Sequence, residues 1–398
     1  MPDMARPAQR TSAFGETIFS EITALALEHG AVNLGQGFPD FDPPAFVLEA
    51  GREIMADPSS HQYARNGGLP ALCETLAGEL APRLGWTPDP MNELTVTVGA
   101  TEALFATTLA LVDPGDEAVL IEPFYDSYPA NVAIAGGTCR HVPLLPGRDG
   151  RWELELDDLR AAFSARTAVV FLNTPHNPTG KVFTAAELTA IAELCQEHDA
   201  VAICDEVYER IVFDGAEHRA LAALPGMRER TVTISSAGKT FSVTGWKIGW
   251  AAACPELTLA IRRIHQWIPF CVATPLQLAV ARTIELARTR GYYDWLAGMY
   301  QGKRDRLVQT LAGAGLAPIT PEGTYFVVAD FSGLGERFED DVAFCRHLTV
   351  ETGVAAIPPS AFYCAEHQHL ARRLARFCFC KEDRTLEAAA ERLTNLRS

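Results

Sequence analysis

No apolar run in this chain approaches the length of a membrane span, and positive charge is scarce: 34 Lys and Arg stand against 50 Asp and Glu, a formal net charge of -16. The first absence argues against a transmembrane helix. The second argues against nucleic acid or an anionic membrane surface as the main partner, because both repel an acidic chain. The opening MPDMARPAQR has no apolar core of the kind a secretory leader carries, so the expected location is the cytoplasm. Ten cysteines are present, yet none forms a CxxC pair and no Cys/His group has zinc-like spacing. They are expected to be buried, reduced thiols, and no metal is expected.

At 398 residues, 48% hydrophobic and 21% charged, the chain has the length for two domains and the composition of a soluble globular protein. Residues 1–43 read as an irregular arm with one helix over 16–28, ending in NLGQGFPDFDPP, whose glycines and prolines exclude a helix or central strand. Helices are expected over 46–55, 70–84, 102–112 and 185–198, with short apolar strands over 94–98, 117–121, 168–172, 201–204 and 231–234. Such alternation implies an α/β unit over 44–285 whose mostly parallel sheet is sandwiched by helices. Beyond it, long helices over 292–312, 341–352 and 384–396 surround strands over 325–329 and 376–380, which reads as a smaller α+β domain over 286–398.

Every strand of the larger unit ends in a polar cluster: Gly99-Ala100-Thr101, Glu122 to Tyr128, Asn173 to Gly180, Asp205 to Tyr208, and Ser235 to Thr240. In parallel sheets, ligands collect at those ends. Lys239 stands there among small and hydroxylated residues, where poor hydration makes an amine nucleophilic and able to form a Schiff base. Gly238-Lys239-Thr240 is not the tail of a P-loop, because Thr233 occupies the place of the required glycine. A lysine paired with a carboxylate at the end of a buried strand, Asp205, suits pyridoxal phosphate, whose ring nitrogen keeps its proton only when an anion faces it. Tyr208 and Asn177 are placed to hydrogen-bond the phenolic oxygen. Ser236, Lys247 and the backbone at Ala100 and Thr101 are placed to hold the phosphate.

Together with HQYARNGG, VTVGATEALF, EPFYDSY, NTPHNPTGKV, DEVYE, SSAGKTFSVTGWKIGW, EGTYF and RFCFCKE, these stretches resemble a fold-type I pyridoxal-phosphate aminotransferase of class I/II, in the methionine and kynurenine aminotransferase branch. The resemblance covers nearly the whole chain in order. It implies Lys239 as the Schiff-base lysine, Asp205 as partner of the pyridine nitrogen and Tyr125 as the residue stacked on the ring. It further implies Tyr63 reaching the phosphate from a second subunit of a homodimer, and Arg376 gripping the substrate carboxylate with help from Asn177 and the backbone of Gly37. The substrates it implies are amino acids and 2-oxo acids, exchanged by a ping-pong mechanism. Ile18, Phe19, Phe38 and Phe326 are expected to form an apolar side-chain pocket. Thr101 and Cys271 depart from the aromatic and the His often found in kynurenine enzymes, which favours methionine-like donors. A cysteine-S-conjugate β-lyase and a non-catalytic pyridoxal-phosphate regulator are the alternative readings.

Overall fold

The structure is a computed structural model that describes residues 8–11, 14, 15, 17–147 and 150–397. Most of the amino-terminal stretch that argues against a leader, and Glu16 at the start of the first expected helix, lie outside the described residues.

In chain order, the described strands begin with β1 (Val32–Asn33), β2 (Leu94–Val98), β3 (Glu117–Glu122), β4 (Thr138–Pro146) and β5 (Trp152–Leu154). Four more follow: β6 (Thr167–Asn173), β7 (Val201–Asp205), β8 (Thr231–Ser236) and β9 (Ile248–Ala252). The last are β10 (Ala317–Ile319), β11 (Phe326–Asp330), β12 (Val354–Ala355) and β13 (Leu374–Cys378). Among the described residues an eight-stranded sheet runs β2-β9-β8-β7-β6-β3-β4-β5. Its centre is parallel, from β4 through β3, β6 and β7 to β8. Strand β9 lies antiparallel between β8 and β2, and β5 is antiparallel at the other edge.

The central strands are buried over nearly their whole length, as expected of a sheet covered on both faces. Helix Gly99–Leu111 packs over β8 and β9, and helix Ala185–Glu197 is fixed at its start by a capping box between Thr184 and Glu187. A second, antiparallel sheet, β10-β11-β13, carries Arg376 in its last strand.

The amino-terminal segment is more ordered than an arm of glycine and proline suggests. Helix Ile18–Glu28 packs Ile22 and Ala26 against Ala355, Ile357 and Phe362, and β1 pairs in parallel with β12. The expected helix over 341–352 is α-helical only to His347, and its last turn, Leu348–Thr352, is a π-helix. No helix among the described residues is long and apolar enough to cross a membrane.

Candidate active site

Strands β2, β6, β7 and β8 deliver their carboxyl ends to one cavity of about 210 Å³. It is lined by Ala100, Thr101, Tyr125, Asn177, Asp205, Tyr208, Ser236, Lys239 and Lys247, nine of the residues singled out in the sequence. The fold therefore brings together groups that are far apart in the chain.

Lys239 sits in the short helix Ala237–Thr240 that follows β8. Its Nζ donates to Gly37 O at 3.3 Å and lies 5.7 and 5.5 Å from the ring centres of Tyr208 and Tyr325. Burial lowers its pKa from the ordinary lysine value, against the pull of Cys380, Cys378 and Asp205. A larger share of its amine is therefore neutral, the form that acts as base and nucleophile.

Asp205 ends β7 and is 5% exposed. Tyr128 Oη donates to its Oδ2 at 2.8 Å, and the Val207 N–H to its Oδ1 at 3.3 Å. Burial pushes its carboxyl up to about 6, while those two hydrogen bonds pull the other way. A carboxyl raised on folding holds its proton more tightly in the folded chain. In the cofactor-free protein it adds stability at and below the ordinary value of 3.8 and withdraws it as pH rises to about 6. A shift of that size corresponds to about 3 kcal/mol. The stability of the cofactor-free wild type minus that of Asp205→Asn is thus expected to fall by about this amount between pH 4 and 7 in denaturant titrations; a difference independent of pH would contradict the burial cost. A cation facing Asp205 would offset that cost.

The first turn of helix Gly99–Leu111 has no side-chain cap, so backbone N–H groups at its start are left for a ligand. The chain approaches itself closely there. A Cβ on Gly249 would stand 2.5 Å from Gly99 C, and one on Gly99, whose φ is +71°, would stand 3.1 Å from Lys247 Nζ. Glu102 accepts from Val98 N at 2.8 Å and is itself held by His265 Nδ1 at 2.8 Å, which fixes the turn. With Lys247 and Ser236 beside it, the turn suits a phosphate, the anionic end of the expected cofactor.

Arg376 is 1% exposed. Its guanidinium stacks among Phe326, Phe19 and Phe362, with ring centres 4.3, 5.2 and 5.2 Å away. Nη2 donates to Gly35 O at 2.7 Å and Nη1 to Asn177 Oδ1 at 3.4 Å, while the buried Nε has no partner. Among the described residues no carboxylate forms an ion pair with it. A buried guanidinium that feels Asp126 only from beyond ion-pair distance is the setting a carboxylate receptor requires.

The remaining singled-out residues lie elsewhere around the cavity or on the surface. Tyr63 is 85% exposed, its ring set edge-on to Phe270 at 5.4 Å, and lines a separate surface cavity with Cys271. It does not line the cavity that holds Ala100, Thr101 and Lys239 in this chain. The carbonyl of Gly37 is taken by Lys239 and by Tyr325 Oη at 2.6 Å. Phe19 and Phe326 meet at Arg376, but Phe38 is half exposed beneath Lys381, and Ile18 packs beside Ile22 on the first helix.

Three site residues went unassigned in the sequence. Tyr128 braces Asp205; Asn173 donates to Asp205 O at 2.8 Å and accepts from Asn177 N at 2.6 Å; Tyr325 anchors Gly37 and meets Tyr208 edge-on at 5.1 Å. Asn173 ends an apolar strand, as many neighbours do, while Tyr128 opens a helix and Tyr325 precedes a strand, so no local pattern sets the three apart.

Comparison with known proteins gives a match of residues 29–393 to the family model "Aminotransferase class I and II". A kynurenine–oxoglutarate transaminase of Dictyostelium discoideum is 42% identical over 98% of this chain and 97% of its own. The solved N-succinyldiaminopimelate aminotransferase of Mycobacterium tuberculosis superposes with a TM-score of 0.93 at 44% identity, covering 98% of this chain and all of that one. YbdL of Escherichia coli, whose crystal structure and reactivity identify a methionine aminotransferase function, gives 0.92 at 41% identity with the same coverage.

Proposed function

The chain belongs to the aminotransferase class I and II family, which depends on pyridoxal phosphate, and from that premise we propose that it moves the amino group of methionine or another apolar amino acid to a 2-oxo acid. The observation that carries the donor class is the setting of Arg376. Its guanidinium is free for one carboxylate, its surroundings are phenylalanine rings, and the cavity's only cations among the described residues are Lys239 and Lys247. A donor with a second carboxylate finds no cation left for it.

Asp205 would hold the ring nitrogen, Lys239 the aldehyde carbon, and Tyr208 with Asn177 the phenolic oxygen. Tyr125 would lie on the ring face, and the turn at Ala100 and Thr101 with Ser236 and Lys247 would hold the phosphate. When bound, the cofactor supplies the sink for the electron pair left as the Cα–H bond breaks. Arg376 fixes the donor's carboxylate and so sets which Cα bond faces the sink. Lys239 Nζ takes the proton from Cα as general base. Donor and acceptor use the same site in turn, so initial-rate lines at several acceptor concentrations are expected to be parallel. In the same assay kcat/KM for methionine should exceed that for kynurenine and for a dicarboxylic donor by about tenfold or more. Intersecting lines, or preference for either rival donor, would overturn this reading.

We also propose a cytoplasmic homodimer in which Tyr63 serves the partner's phosphate turn. Its exposure beside Phe270, itself exposed, supports an interface there. Tyr63→Phe is expected to weaken cofactor retention about tenfold; unchanged retention on dialysis would argue against the contact. The proposed domain division groups 1–43 with 286–398, which the pairing of β1 with β12 supports. Limited proteolysis should leave 44–285 as one resistant fragment, and early cuts within it would count against that division.

A further inference from the structure

Away from Lys239, residues 359–371 lie against the carboxyl end of β3 and the middle of β4. Phe124 N donates to Phe362 O at 2.8 Å, and Cys364 N donates to Glu122 Oε1. At that seam a carboxylate, an imidazole and a thiol converge. One ligand atom each from Glu122, His141 and Cys364 lies within 4.8 Å of the other two. We propose that these three side chains form a binding site for a divalent transition-metal ion of the zinc type.

The donor set decides the class of ion. Calcium and magnesium take oxygen, whereas one oxygen, one nitrogen and one sulfur suit a borderline-soft cation in four-coordinate geometry, with water in the fourth place. Donor atoms around such an ion stand roughly 3.5 Å apart. His367 Nδ1 pairs with Glu122 Oε2 and so orients the carboxylate from outside the ligand set, as second-sphere groups do. Glu122 is fully buried, while His141 and Cys364 are only half-buried, which leaves the ion a way in. On binding, bonds form from the metal to the carboxylate oxygen, the imidazole nitrogen and the sulfur, the S–H bond breaks, and its proton passes to water. No electrons change hands.

The site was invisible to spacing rules because its ligands come from the end of one strand, the middle of the next and a distant loop. It also has a consequence for the active site. Glu122 begins the turn that carries Tyr125 and Tyr128, and the loop follows Ile357, which pairs with Arg376. A bound ion therefore ties the cofactor side of the cavity to the carboxylate receptor.

The test uses the holoenzyme after chelator treatment and desalting, titrated calorimetrically with zinc chloride and, separately, with cobalt(II), read in the visible beyond the cofactor's absorption. One zinc per chain and the bands of four-coordinate cobalt are expected, with affinity lowered about 100-fold or more in Cys364→Ser and His141→Asn. Saturating zinc should raise the melting temperature by about 3 °C. Cofactor spectra of both variants report whether they fold. Alkylation of Cys364 in the wild type, followed by mass spectrometry, gives a readout independent of the variants and is expected to slow at least tenfold with one equivalent of zinc. No stoichiometric binding, binding unchanged in both variants, or alkylation indifferent to zinc would each overturn the site.

Discussion

Lys239→Ala is expected to lower transamination by about 10⁴-fold, the upper range of what a positioned acid–base group contributes. The amine has no substitute nearby. The other cation of the cavity, Lys247, lies against Gly99 at the phosphate turn, and Tyr208 and Tyr325 have their pKa values raised well above the ordinary tyrosine range by burial. Lys239→Arg should fare no better, because a guanidinium stays protonated and cannot accept the Cα proton. A single-turnover assay with methionine measures this directly. Activity within tenfold of wild type in either variant would remove Lys239 from the role of base.

Arg376→Ala comes next in size, with an expected loss of about 10³-fold in kcat/KM. The interaction at stake is charge-assisted, water-excluded and two-pronged, and truncation leaves a substrate carboxylate buried among three phenylalanines with no partner. Arg376→Lys should recover only part of the loss, since an ammonium cannot make two parallel hydrogen bonds. The cofactor's absorption should be unchanged in both variants, which separates lost substrate binding from a collapsed site. A loss below tenfold in Arg376→Ala would mean that the carboxylate binds elsewhere.

How far the sequence disclosed this arrangement follows from which residues the sheet buries. Strands β2, β3, β6, β7 and β8 are short apolar runs, buried along almost all of their length and stopped by polar residues, so both their existence and their polar ends, which meet at one cavity, could be read directly. Lys239 and Asp205 stood out for the same reason: an ionisable group at the edge of a buried strand has few bland explanations once its neighbours repeat the pattern. Strand β5 is the sheet's edge strand and β4 the one next to it, and β4 mixes exposed with buried positions, so the apolar-run signal is absent. Strand β9 is apolar enough, but its place between β8 and β2, antiparallel to both, depends on partners that no local pattern names. Tyr128 was one aromatic among several in EPFYDSY; only the packing of helix Ser127–Ala135 beside β3 and β4 aims it at Asp205. The ordered amino-terminal segment was hidden likewise, because β1 is two residues long and is held by β12 from the far end of the chain.

Arg376 shows both limits at once. Its position in a short apolar strand and the matching RFCFC stretch mark it, but nothing in the sequence names what faces its guanidinium. Among the described residues Arg376 has no ion-pair partner and its Nε is unpartnered, which favours a receptor over a brace, and those are facts of packing alone.

The most direct test of the account is the absorption spectrum of the purified holoenzyme on addition of methionine with no 2-oxo acid present. Conversion of the cofactor from its aldehyde form to its amine form, with one equivalent of the methionine-derived 2-oxo acid released per chain, is the expected result. A spectrum that stays in the aldehyde form at saturating methionine, with no oxo acid released, would contradict the claim that this site transfers the amino group of such a donor.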